Sequence, residues 1–253
     1  MIESLTDPEE FRRLRHSAWE HNVDYWVTAP LRHVVDVGGY ILDRVTELCG
    51  RSGNKLPVVL DMGFGSGWLL QDLIARGVQM SYVGVDSMER FVVRAKETFG
   101  ENDRTRFLVK DVEEPFQLPV QADVVVNAFN FFELSDLRGA MRNVRSHLPV
   151  GGSLFMSTID KTYLILALSS APAAFCENLR RYQELEGTKY AFQRIDLGAR
   201  LSETLEYPSV LYSTQDFIDA AAQEDLRFVK YVEHAFTARA VPKIYCHIEF
   251  ERV

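Results

Sequence analysis

Apolar and polar positions along this chain switch between two periods, and the switches mark its elements. From Val58 the run VVLDM is continuously apolar up to an acid, and the turn GFGSG follows. Trp68, Leu69, Leu70, Leu73 and Ile74 then recur at helical spacing, which predicts a buried strand, a glycine-rich turn and a helix. Apolar runs that end in a polar group return at Ser81 to Asp86, Arg106 to Asp111, Asp123 to Asn127 and Ser153 to Asp160. Between them, SMERFVVRAKETFG from Ser87 buries Phe91, Val92, Ala95 and Phe99 on one helical face and stops at Gly100, and Leu134 to His147 reads as a further helix. Upstream, Val37, Ile41, Val45 and Leu48 share a helix face, although Gly38 and Gly39 weaken its start. Asp7 as N-cap, Pro8 at the first helical position and Glu9 and Glu10 in the first turn start a helix at the N-terminus. Ser213 caps a helix in TQDFIDAAAQEDL, RFVKYVEH is a strand ending at His234, and KIYCHIEFERV alternates as a last strand.

Strands alternating with helices predict an α/β sheet in which successive strands deliver polar groups at their carboxyl ends, where the ligand crevice of such a sheet lies. Gly63, Gly65 and Gly67 let the backbone approach a ligand, and the helix that follows presents unpaired N–H groups. Asp86 falls about 20 residues after the last glycine, where an acid can accept both hydroxyls of a ribose.

Composition adds exclusions. With 253 residues the chain fits one domain, and its net charge of −8 argues against a nucleic-acid surface. No long apolar run suits a membrane, and the N-terminus lacks the apolar core of a secretion signal, so a cytoplasmic protein without a membrane partner is expected. Cys49, Cys176 and Cys246 are widely separated, with neither disulfide nor metal spacing, so no metal is expected.

Taken together, these motifs resemble those of class I S-adenosylmethionine-dependent methyltransferases, over about three quarters of the chain. The glycine motif matches LDMGFGSG at Leu60 to Gly67, the ribose acid Asp86 and the adenine-side acid Asp111. The fourth motif matches DVVVNAFNFFEL at Asp123 to Leu134, and the helix and turn after it match NVRSHLPVGGSL at Asn143 to Leu154. A nicotinamide dinucleotide fold is the nearest competitor, but its third glycine would fall on Trp68. The resemblance implies a three-layer, doubly wound, seven-stranded and mostly parallel sheet with an antiparallel last strand. It also implies S-adenosyl-L-methionine as cofactor, held by Asp61, Gly63, Phe64, Gly65, Gly67, Asp86, Ser87, Asp111, Val112 and Asn127, with Tyr25 from an N-terminal lid. Residues 1–33 would be that lid arm, 34–160 and 213–253 the cofactor core, and 161–212 a substrate cap. Trp19, Tyr25 and Trp26 either wall the site or pack the arm on the core.

The acceptor half is less constrained. Trp26, Asn130 and Phe131 are the expected acceptor contacts, and an acceptor that is a small molecule suits the aromatic cap segment. Where relatives carry a histidine, this chain has Glu133, which acts as a base if Phe131 and Phe132 desolvate it, or else begins the helix after it. Asp160, at the end of its strand, is the second acid or base candidate. His16, His21 and His147 read as structural, and His234 is placed away from the cofactor end. Arg180, Arg181, Arg194 and Arg200 either meet an acidic acceptor or lie on the surface. The alternatives are a protein methyltransferase, or a methyltransferase-fold protein that binds the cofactor as a scaffold or cyclase.

Overall fold

A computed structural model of the chain describes residues 8–28, 35–51, 55–130, 134–160, 190–196, 204–210, 212–238 and 241–253. Its elements in order are α1 (Pro8–Thr28), α2 (Val35–Gly50), β1 (Val58–Met62), α3 (Trp68–Ala75), β2 (Ser81–Asp86), α4 (Glu89–Phe99), β3 (Thr105–Val109), β4 (Val124–Ala128), α5 (Leu137–His147), β5 (Ser153–Thr158), β6 (Tyr190–Asp196), β7 (Thr204–Val210), α6 (Thr214–Ala222), β8 (Leu226–Ala238) and β9 (Val241–Arg252).

Seven strands form one sheet in the order β3-β2-β1-β4-β5-β9-β8. The first five pair in parallel, and β9 runs antiparallel between β5 and β8. This is the expected doubly wound, mostly parallel sheet with an antiparallel last strand. Both faces are covered, which is why β1, β2, β4 and β5 are nearly continuous apolar runs. On one face Ile41 and Val45 of α2, Leu69 and Leu73 of α3 and Phe91 and Val92 of α4 pack on Val59, Val126 and Phe155. On the other, Met141 and Val144 of α5 and Phe217 and Ala221 of α6 pack on Leu60, Val85, Val125 and Met156.

Helix α1 belongs to both layers, because Phe11 is buried in the second core and Val23 in the first. Between those residues it crosses the carboxyl end of the sheet. There Arg15 reaches Glu113 beyond β3, and the Glu20 carbonyl accepts from Arg90 beyond β2.

Local chemistry sets the helix ends. A reciprocal capping box joins Ser213 and Asp216 at α6, and Asp136 Oδ1 accepts from the Gly139 amide at α5. Helix α5 therefore begins three residues later than Leu134, with Asp136 as its cap; Glu133 lies outside the described residues. His147 is structural as expected, with Nδ1 2.7 Å from the Asn143 carbonyl and its ring stacked on Phe116.

Two expectations are corrected. Strand β8 does not stop at His234 but runs to Ala238, because β9 starts at Val241 and pairs with it without a break from Lys230 to Ala238. Since β8 runs parallel to β5, His234 lies at the carboxyl end of the sheet, not away from it. Within 161–212, the segments Tyr190–Asp196 and Thr204–Val210 form a separate antiparallel pair, with β7 beside α1. Among the described residues no helix is long and apolar enough to cross a membrane.

Candidate active site

The outer two glycines of the turn after β1 differ in their role from the middle one. All have positive φ, at +75° for Gly63, +54° for Gly65 and +76° for Gly67. A Cβ on Gly63 would stand 2.6 Å from Asn130 Cγ, and one on Gly67 would stand 2.7 Å from Phe99 Cε2. At Gly65 a Cβ would meet nothing within 4 Å. The outer glycines are thus required by the protein's own packing, while the middle one faces open space.

Asp86 ties this turn to β2. Its Oδ2 accepts from the Gly65 amide at 2.9 Å and its Oδ1 from the Met88 amide at 2.9 Å. Burial pushes its carboxyl up to about 6, against the pull of those two amides and of Arg15. Asp61, under the turn, accepts from the Tyr82 hydroxyl at 2.7 Å and is pushed by burial to about 7. Phe64 is buried against Phe107, so the turn reaches the crevice through its backbone while this ring anchors it below.

Beyond β3, Asp111 Oδ1 accepts from the Glu113 amide, and Asn143 of α5 donates to the carbonyls of Val112 and Glu114. Beyond β4, Asn127 donates to the Met62 carbonyl at 2.6 Å and joins the ends of the two central strands. Phe129 follows with φ +68°, a conformation a bulky residue adopts only under constraint. The constraint is visible: its amide donates to the Ser157 carbonyl at 2.8 Å, and its ring lies 4.7 Å from that of Tyr245. This twist presents Asn130 to the glycine turn, with Asn130 Oδ1 buried and without a hydrogen-bond partner among the described residues.

The parallel pairing of β1 to β4 therefore gathers Gly63, Gly65, Asp86, Asp111, Asn127 and Asn130 at the carboxyl ends of neighbouring strands, with Ser87 half-buried beside Asp86. Asp160 reaches α6, where Oδ2 accepts from the Thr214 amide at 2.7 Å and its hydroxyl at 3.0 Å. Tyr25 and Trp26 lie in the last turns of α1, and nothing is described of their side chains; Phe131 and Glu133 lie outside the described residues.

Sequence reading missed Arg15 and Glu113. Glu113 is fully buried and takes Arg15 at 2.7 Å, the Ser135 hydroxyl at 2.5 Å and the Asp136 amide at 2.5 Å. Burial alone would raise its carboxyl, but Arg15, Ser135 and Asp136 together hold it below the ordinary value. No local pattern marks either residue, since each looks like one more charge in a polar stretch.

Comparison with known proteins agrees with this arrangement. Residues 59–152 match the family described as Methyltransferase domain. A curated relative, the malonyl-[acyl-carrier protein] O-methyltransferase of Bacillus anthracis, is 29% identical over 110 residues. That alignment takes in 44% of this chain and 40% of the relative, so the chain spans less than half of the protein it matches. Among solved structures, the 1,6-didemethyltoxoflavin-N1-methyltransferase of Burkholderia thailandensis superposes with a TM-score of 0.62 at 12% identity, covering 100% of this chain and 93% of that one. The magnesium protoporphyrin IX methyltransferase of Synechocystis gives a TM-score of 0.60 at 15% identity, covering 96% and 100%. At those identities the likeness is one of fold. Motif order, sheet topology and the domain match over residues 59–152 agree, and in all three the chain is similar to the class I S-adenosylmethionine-dependent methyltransferases.

Proposed function

We propose that this protein transfers the methyl group of S-adenosyl-L-methionine to an O, N or C atom of a small molecule. The observation that carries the reading is Gly65, where the chain leaves open space for a ligand while the Gly65 amide is held on Asp86. The residues fit the cofactor. Asp86 offers a buried carboxylate to the ribose hydroxyls, Asp111 and Val112 border the adenine, and the turn with Asn127 and Asn130 receives the methionine part. When bound, the cofactor supplies an activated sulfonium methyl; the residues around it orient the acceptor and exclude water.

In this reading α1 is the lid, since it crosses the carboxyl end of the sheet, and residues 161–212 build the acceptor cap. The setting is the cytoplasm, and the acidic net charge supports a small acceptor over a nucleic acid. Titration calorimetry of S-adenosylmethionine into the folded chain is the direct test. Saturable binding, followed by S-adenosylhomocysteine release with an added acceptor, is the expected result; a folded sample that binds none refutes the reading.

Binding should also depend on pH with a defined sign. Only the ionised form of Asp86 accepts both ribose hydroxyls, and its carboxyl sits at about 6. Affinity should therefore fall as pH drops through 6, approaching about tenfold per unit below it. The free protein should behave in the opposite sense. Asp61 and Asp86, raised to about 7 and about 6, hold protons that the unfolded chain releases near the ordinary aspartate value of 3.8. Their contribution to stability is complete below that value and is lost as pH rises through 6 to 7. Melting curves with and without cofactor between pH 5 and 8 should therefore diverge most at the alkaline end.

A further inference from the structure

Two imidazoles meet at the carboxyl end of the sheet, on the face covered by α2. His247 of β9 is 2% exposed, and its Nδ1 lies 2.6 Å from the Ser157 hydroxyl of β5. Its Nε2 is buried and has no hydrogen-bond partner among the described residues. Buried polar atoms in folded proteins are nearly always paired, so an orphan beside a ligand crevice points to a group that the ligand supplies.

The surroundings are aromatic. His247 stacks on Phe155 with ring centres 6.0 Å apart, and Tyr40 of α2 lies 4.7 Å away. His234 of β8 stands edge-on at 6.1 Å and also faces Tyr40 at 6.2 Å. The Phe129–Tyr245 pair borders the cluster on the side of β4.

Register places the cluster relative to the cofactor crevice. His247 is level with Ser157 of β5 and through it with Ala128 of β4, one residue beyond Asn127. It lies two strand spacings from β4, about 10 Å. Two fused aromatic rings span a similar length. Charge narrows the chemistry further, because Arg44, the cation that α2 brings to this face, is already held by Glu249 at 2.6 Å and by Glu47. Burial, with His234 adding to it, holds His247 down at about 4, so it is a neutral hydrogen-bonding group and not a cation for a carboxylate.

We propose that this cluster is the distal end of the acceptor pocket. It takes a planar aromatic acceptor of about two fused rings, bordered by Tyr40 and Tyr245, whose neutral hydroxyl or carbonyl far from the methylated atom pairs with Nε2 of His247. The inference rests on the methyltransferase reading and adds the acceptor class to it.

The test uses the full chain saturated with S-adenosylhomocysteine and titrated with 2,6-dihydroxynaphthalene or with 2-naphthol, which lacks the distal hydroxyl. The diol should bind about tenfold tighter or more, since a site built to pair a hydroxyl rejects the analogue without it. His247→Phe should erase that preference while leaving the affinity for S-adenosylhomocysteine unchanged. Should that variant fail to fold, the imidazole ¹⁵N resonances of the wild type give the same answer: Nε2 of His247 should shift with the diol and not with 2-naphthol. Equal affinities, no diol binding, a preference that survives in His247→Phe, or an unmoved Nε2 signal overturns the proposal. Failure of S-adenosylhomocysteine itself to bind would strike the methyltransferase reading instead, and the naphthol titrations without it still report on the pocket.

Discussion

Gly65→Val is expected to abolish binding of S-adenosylmethionine while leaving the chain folded. The Cβ of residue 65 would stand in open space, so the substitution creates no clash within the protein. Its cost to stability is confined to the positive φ of +54°, which for a side-chain-bearing residue is about 1 to 2 kcal/mol. The added isopropyl group fills the space through which the turn would approach the ligand, and the loss of affinity should reach at least 100-fold, about 3 kcal/mol. Gly67→Val is the informative contrast, because its Cβ falls 2.7 Å from the Phe99 ring at φ +76° and must displace that half-buried ring from its packing on the core. Calorimetry and melting curves run in parallel separate the two: Gly65→Val should lose binding with a modest drop in melting temperature, and Gly67→Val should lose stability first. A Gly65→Val protein that binds the cofactor as tightly as the wild type would show that this turn is only a structural loop.

The same turn shows how much was legible beforehand and why. Strand, glycine turn and helix are encoded locally, in an apolar run, in residues that tolerate positive φ and in a 3.6-residue period, so this unit and its repeats along the sheet could be read directly. Asp86 was legible for the same reason, since its distance from Gly67 is set by one helix and one strand. What the spacing could not say is why each glycine is there; the answer lies in Asn130 and Phe99, brought in by β4 and α4. His234 was misplaced because strand length in an antiparallel pair is set by the partner, and the continuous pairing of β8 with β9 carries the strand past the point where its own pattern weakens. The left-handed Phe129 carries no signal at all in its own residue type, because the tertiary contacts to Ser157 and Tyr245 hold it there. Ser157 and His247 escaped notice in the same way, as unremarkable members of two apolar strands until pairing set them side by side.

Long-range pairing also decides the second large effect, at the docking of α1. Arg15 is 8% exposed and faces the fully buried Glu113, so Arg15→Ala would leave a carboxylate in a low-dielectric site with only the Ser135 hydroxyl and the Asp136 amide to satisfy it. Breaking a buried pair from one side costs about 3 to 5 kcal/mol, most of it the penalty for the charge left behind. That energy is concentrated where α1 crosses the carboxyl end of the sheet, so the expected outcome is release of the helix before the rest of the fold. Hydrogen exchange should show α1 amides losing protection while those of β1 and β4 keep theirs, and affinity for S-adenosylmethionine should fall with the lid. The sign of the pH dependence follows from Glu113, whose carboxyl lies below its ordinary value while Arg15 is present. In the wild type that stabilisation is present above the unfolded value and lost as pH falls through the folded one. In Arg15→Ala the carboxyl should instead rise, so the variant's deficit should shrink on acidification as Glu113 takes up a proton. The double variant Arg15→Met with Glu113→Gln removes both charges and should recover most of the lost stability. If Arg15→Ala melts like the wild type and α1 keeps its protection, the ion pair does not hold the helix, and burial of Phe11 and Val23, with the Arg90 bond to the Glu20 carbonyl and the Arg12–Glu114 pair, accounts for its place across the sheet.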